Sequence, residues 1–200
     1  MAINIKHYKL RSLSFAMVIV TFFVTMLSAC DDALNEFSNY RCYLVIENNY
    51  HQNSVLASAM DPNNPGMFCV ISLFVKNGAR CFHVENSDKL TDDIVFNGYD
   101  ARRSFIVGKN NGLIVGYGKF SSPLTFYAFD RECPNCFNLN TIPVRSYPLT
   151  IASDGFATCN TCKRKYNLNS GGNIAAGEGG KKLERYHASA SGPFGVITVQ

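Results

Sequence analysis

Two Cys-x-x-Cys pairs constrain this chain more than any other feature. Cys133-Pro134-Asn135-Cys136 and Cys159-Asn160-Thr161-Cys162 are separated by 22 residues. That is close to the spacing of two zinc-ribbon knuckles with a hairpin between them. A tight turn with two cysteines three apart aims both sulfurs at one point, and its backbone N–H groups donate to them. Two such turns complete a tetrahedron with sulfurs about 2.3 Å from a zinc ion. Four thiolates close the shell, so Cys133, Cys136, Cys159 and Cys162 are expected to hold a structural zinc, with iron as the alternative ion. Two disulfides are the competing reading in an oxidising compartment. A thioredoxin-like redox pair should open a helix, and Phe137-Asn138-Leu139-Asn140-Thr141-Ile142-Pro143 does not read as a helix start. Lys163, Arg164 and Lys165 directly follow the second pair. They would offset the negative charge of a four-thiolate centre, and read as a solvated hairpin edge.

The first 29 residues are a different kind of sequence. Lys6, Lys9 and Arg11 form a positive front, residues 12–29 carry no charge, and the run ends in Leu27-Ser28-Ala29-Cys30. This resembles a bacterial secretory leader ending in a lipobox. Residues 1–29 are expected to be a lipoprotein signal peptide, Cys30 the lipid-attachment residue, and residues 30–39 a tether. The competing reading is an uncleaved membrane anchor. Two or more acyl chains on one cysteine hold a protein stably on a membrane. The chain is therefore placed in the bacterial cell envelope, with the outer membrane as the expectation. Asp31-Asp32 directly after the lipid cysteine fits either a surface-export signal, inner-membrane retention or a plain solvated tether.

The remaining length suits one domain, residues 40–200. With 46% hydrophobic and 17% charged residues the chain has material for a core and is not disordered. Nineteen basic and fifteen acidic residues give +4 overall, but the leader holds three of the cations and no acid. The rest is nearly neutral, which argues against a nucleic-acid partner. Short β-branched and aromatic runs recur between Gly, Asn, Pro and Asp. Strands are expected near residues 42–46, 55–60, 67–76, 80–84, 104–107, 113–117, 124–129, 148–152, 155–158 and 195–199. Asn77-Gly78 predicts a hairpin, as do the turns at 108–112 and 153–155. No helical period of ten residues appears outside the leader. The fold class expected is all-β, an antiparallel sandwich or barrel with a zinc-ribbon-like metal-binding subdomain and its loops within 130–165. Residues 170–182 are glycine-rich and read as a mobile loop.

The cysteine loops also resemble the Rieske iron–sulfur domain. That family carries two metal-binding loops on a β scaffold, with C-x-H in the first and C-x-x-H in the second. Here Ala128-Phe129-Asp130-Arg131-Glu132-Cys133-Pro134 resembles the approach to the first loop, and Asp154-Gly155-Phe156-Ala157-Thr158-Cys159 the approach to the second. Tyr166-Asn167-Leu168 with Gly171-Gly172, then Leu183-Glu184-Arg185-Tyr186, then Val196-Ile197-Thr198-Val199 resemble the elements that follow. The resemblance spans about residues 112–200 and implies a Rieske-like scaffold. It departs at the ligands, since Asn135 stands in the first histidine's place and Cys162 in the second's. In the family two histidines replace two cysteines on one iron. What the resemblance implies here is a four-cysteine zinc site or an all-cysteine iron or 2Fe-2S site.

The other residues carry less. Cys42, Cys69 and Cys81 lie in strand-like runs, either as buried thiols or with one disulfide among them. His51, His83 and His187 stand isolated. Asp92-Asp93, Asp130 and Glu132 read as turn and rim charges, and Arg102-Arg103 as solvated. No catalytic constellation is apparent. The function expected is non-enzymatic binding or assembly at the envelope, with the membrane held through lipidated Cys30 and an envelope protein as partner. The alternative is electron transfer through iron at the same four cysteines.

Overall fold

A period-two alternation of side chains, with both faces buried, organises the centre of the molecule. In the computed structural model, which describes residues 36–200, β2 (Phe68–Lys76), β3 (Ala79–Asn86), β4 (Thr91–Val95), β5 (Leu113–Tyr117), β6 (Phe126–Asp130) and β11 (Arg185–Tyr186) form one antiparallel sheet. Its strand order is β11-β6-β5-β2-β3-β4. Cys69, Ile71, Leu113, Val115, Phe126 and Ala128 face one core, while Phe68, Val70, Ile114, Tyr127 and Phe129 face another. Successive strand residues point to opposite sides, so a strand covered on both faces needs an unbroken apolar run. Ile114-Val115 and the run Phe126-Tyr127-Ala128-Phe129 meet that need.

The first core is closed by β1 (Leu44–Glu47), β12 (Ala188–Ala190) and β13 (Val196–Val199), a three-stranded sheet in the order β1-β13-β12, and by the helix α2 (Ser54–Met60). The second core is closed by β7 (Leu149–Ile151), β8 (Phe156–Cys159), β9 (Lys165–Asn167) and β10 (Asn173–Ala176), joined in the order β10-β9-β8-β7. The protein is mostly β with antiparallel sheets, and its four Cys-x-x-Cys cysteines cluster where the tip of the β8-β9 hairpin meets the end of β6.

Local chemistry explains where the chain departs from the sequence reading. Residues 55–60 form the helix α2 and not a strand. Asn53 caps it, its side chain accepting the Leu56 N–H at 2.8 Å, which supplies one of the orphan donors of a first turn. Val55, Leu56, Ala59 and Met60 then fall on one buried face. A four-residue helix α1 (Asn48–His51) precedes it. Residues 104–107 do not pair with β5 across the 108–112 turn. Ile106 bridges Tyr43 instead, while β5 is taken by β2 and β6. The Asn77-Gly78 hairpin joins β2 and β3, with both turn residues at positive φ (51° and 81°), as a two-residue hairpin of matching twist requires. The glycine-rich segment 170–182 contains the strand β10. Among the described residues no helix is long and apolar enough to cross a membrane. Cys30 and the leader lie outside the described residues.

Candidate metal centre

Each knuckle is a turn closed by its own backbone. In the first, the N–H groups of Cys136 and Phe137 both donate to the Cys133 carbonyl, at 3.1 and 2.9 Å. In the second, Lys163 N–H donates to the Cys159 carbonyl at 3.0 Å and Lys163 adopts φ 62°. The two turns are rooted in different sheets. The first leaves the end of β6 in the six-stranded sheet, and the second is the tip between β8 and β9. The first is then tied to the approach to β7 by Cys133 N–H donating to Tyr147 O at 3.0 Å and Leu149 N–H to Arg131 O at 2.7 Å.

This arrangement brings all four sulfurs together. Cys133 Sγ and Cys162 Sγ are 3.7 Å apart, Cys136 Sγ and Cys159 Sγ 3.8 Å, and all four lie within 4.8 Å of one another. None is at the roughly 2.05 Å of a disulfide, and all four are free cysteines. The group could hold a metal ion. Cys133 and Cys159 are buried, while Cys136 and Cys162 are half-buried.

Asn135, Arg164 and Tyr166, each noted in the sequence, gain their partners only in the folded chain. The Tyr166 hydroxyl lies 3.3 Å from Cys133 Sγ and accepts the Asn135 side-chain amide at 2.9 Å. Asn135 also donates to Lys181 O at 2.8 Å and accepts Lys181 N–H at 2.9 Å. The residue in the histidine position of the resembled family therefore clamps the glycine-rich loop to the first knuckle. Gly180 permits that approach, because a Cβ there would stand 2.3 Å from Asn135 Oδ1. Arg164 fastens the same loop from the other knuckle, its Nε donating to Glu178 O at 2.9 Å and an Nη to Gly179 O at 3.1 Å. The loop expected to be mobile is held at several points.

The electrostatics set Cys162 apart from Cys133 and Cys136. Burial pushes the Cys133 and Cys136 thiols up. Burial acts the same way on Cys162, but hydrogen bonds from the Arg164 N–H and guanidinium and from the Cys136 and Cys159 thiols together outweigh it and bring the thiol down to about 6. A thiol of that value is largely thiolate at neutral pH, the form that binds metal. The basic trio thus separates. Arg164 serves Cys162 and the loop, Lys165 pairs with Asp154 at 3.0 Å, and Lys163 is exposed.

Asp130 and Glu132, expected at the rim, are buried at 1% and 5% exposure. Asp130 accepts the N–H groups of Lys109 and Glu132 and the Tyr186 hydroxyl. Glu132 accepts Asn110, Ser146 and the Tyr147 N–H. Their hydrogen bonds hold the root of the first knuckle, which is how buried carboxylates are tolerated. The other singled-out residues stand elsewhere. His51 pairs with Asp100 at 3.0 Å, His83 with Asp93 at 2.7 Å, and His187 stacks on Phe37. Asp92 accepts the Asn53 side chain at 2.7 Å, and Arg103 pairs with Glu47 at 2.7 Å. Cys42, Cys69 and Cys81 are buried free thiols.

No protein-family model matches the chain, and neither a curated protein nor a solved structure does.

Proposed function

We propose that this chain is a lipid-anchored bacterial envelope protein, attached to the membrane through Cys30, in which Cys133, Cys136, Cys159 and Cys162 hold a single structural zinc ion. Its role is binding or assembly with another envelope protein, without catalysis. The observation that carries the metal assignment is the sulfur geometry. A tetrahedron with bonds of about 2.3 Å has edges of about 3.8 Å, and Cys133–Cys162 and Cys136–Cys159 stand at 3.7 and 3.8 Å, with all four sulfurs within 4.8 Å of one another. The centre would link two sheets, because its knuckles are rooted one in each. Closed four-thiolate shells do this structural work.

A Rieske-like scaffold is the reading of the surrounding chain. It is supported by the order of elements after the second knuckle. Strand β9 with Tyr166, the Gly171-Gly172 turn, the clamped loop, the β11 strand at Arg185–Tyr186 and the closing strand β13 follow in that family's sequence. The second functional reading is electron transfer by iron at the same thiolates, favoured by the half-buried Cys136, which lines an open cleft. Sulfurs gathered this closely suit one ion better than a 2Fe-2S cluster, whose bridging sulfides would hold the two thiolate pairs further apart.

Metal analysis of the mature protein separates the readings. One zinc per chain without visible absorption supports the structural ion. Stoichiometric iron with colour replaces it by the carrier. Oxidised thiols with no metal removes both.

A further inference from the structure

The knuckle end of the domain carries a surface feature that the metal centre does not use. Between the first knuckle and β7 the chain makes an excursion, residues 137–148, that exposes three large apolar side chains within six residues. Ile142 is 99% exposed, Val144 47% and Leu139 43%. Val75 and Val95 are also exposed, on strands that run toward this end. Phe120 and Leu124 belong to the turn joining the far ends of β5 and β6, since Tyr117 pairs with Phe126 there and Leu113 pairs with Asp130 at the knuckle end. Around the excursion Arg145, Lys163, Lys181 and Lys182 are exposed, and none has a carboxylate partner among the described residues. Most acids of this end are buried or paired: Asp130 and Glu132 are buried, Glu184 is paired with Lys109, and Glu178, though paired with Arg164, has its side chain 92% exposed. Exposed apolar side chains, with exposed cations in the same excursion, the neighbouring knuckle and the adjoining loop, match the chemistry of an anionic lipid surface.

The place where the tether joins the domain points to the same occupant. Phe37 stacks on His187, and Ser38 donates its N–H to Arg185 O and its hydroxyl to Glu184, both at 2.7 Å. Glu184 and Leu139 line one cleft of about 570 Å³, together with Lys181 and Asn138. Glu184 therefore touches the tether residue Ser38 and lines the cleft that Leu139 also lines, while Phe37 lies one step further from the knuckle, beside His187. Six residues separate Cys30 from Phe37, and the seven steps between them span at most about 25 Å. We infer that the knuckle end faces the bilayer and that the Leu139, Ile142 and Val144 excursion, with its neighbouring lysines and arginine, rests in the lipid headgroup layer. This rests on the proposed lipid anchor at Cys30. Its consequence is that a partner reaches the protein from the opposite end, and the metal-bearing sheet is held against the membrane.

The chain contains no tryptophan, so Ile142→Trp installs a single reporter at a fully exposed position, and Phe120→Trp installs its control at the far end. Each mature, lipidated protein is reconstituted into vesicles of phosphatidylethanolamine and phosphatidylglycerol with brominated acyl chains. The expected result is a blue-shifted emission for Ile142→Trp, quenched about twofold by bromine, with Phe120→Trp unaffected. An Ile142→Trp signal that stays unquenched in lipidated protein overturns the inference and leaves the anchor standing. Equal quenching of both variants overturns the orientation. Emission that shifts only when other envelope proteins are added overturns the inference in favour of a protein surface. A chain without acyl mass, partitioning into water from detergent, removes the anchor and this inference together.

Discussion

The two faces of the six-stranded sheet are covered by different means. On one side β1, β13 and α2 bring Leu44, Ile46, Leu56, Met60 and Ile197 against Phe82 and Ile71, all fully buried. Nothing but close packing is needed there. The covering strands are three or four residues long on both sides, but the other side has no α-helix among its cover, and its edge strand β10 is mostly exposed. Tyr166, Leu168 and Leu149 are buried, but Cys133 and Cys159 belong to the same core. Strands this short carry little independent stability. The contrast teaches that the cysteines are part of the second core's cohesion, and that a metal bound there would act as a folding ligand for one face and not for the other.

The largest break in that comparison is Cys159→Ser. Structural zinc in small domains binds with on the order of 10 kcal/mol, and that energy is folding energy. We expect the variant to lose its ion and to lose amide protection across residues 149–176, while residues 44–47, 68–86 and 196–199 stay protected. Retention of full metal content and full protection would remove the metal assignment. Phe82→Ala probes the opposite face. Phe82 is fully buried with ring centroids of Phe96 and Phe105 at 4.4 and 5.2 Å, so truncation should cost about 3–5 kcal/mol. Denaturant unfolding should record that loss with the metal stoichiometry unchanged; metal loss in step with it would mean that the faces are not separable.

The smallest effect lies at the junction of the two regions, where β6 runs into the first knuckle. Burial pushes the Asp130 carboxyl up, the Lys109 and Glu132 N–H groups and the Tyr186 hydroxyl pull part of the way back, and Glu184 adds to the rise. The folded chain therefore binds this proton more tightly than the unfolded chain does. That contribution is fully present below the ordinary value of 3.8 and is lost as pH rises through the raised one. Melting of wild type and Asp130→Asn across this acid range should show the difference moving in favour of wild type as pH falls. Titration of the thiols is common to both proteins and cancels. A difference that moves the other way would mean that the hydrogen bonds outweigh burial.

Much of this could be read from residue order because its causes are local. The Asn77-Gly78 hairpin, the continuous apolar runs of β2 and β6, and the pairing of 149–151 with 156–159 follow from neighbouring residues. The helix α2 was missed because its apolar residues form a run too short to show a helical period. Its deciding feature is the Asn53 cap, which is visible in the sequence once a helix is suspected. The 104–107 segment was misplaced because its partner, Tyr43, lies more than sixty residues away. His51 and Asp100, 49 positions apart in the chain, carry no spacing signal that would announce their pairing.

The sequence by itself determined that two paired-cysteine turns exist and that the segments around them are short antiparallel strands. Those properties depend on contacts within a few residues. Only the tertiary structure decided that the two turns, rooted in separate sheets, point their sulfurs at one place. It also decided that Asn135 and Tyr166 support the first knuckle, and that Asp130 and Glu132 are buried and not at the rim. Those outcomes depend on how sheets stack, and the free energy of stacking is distributed over residues far apart in the chain.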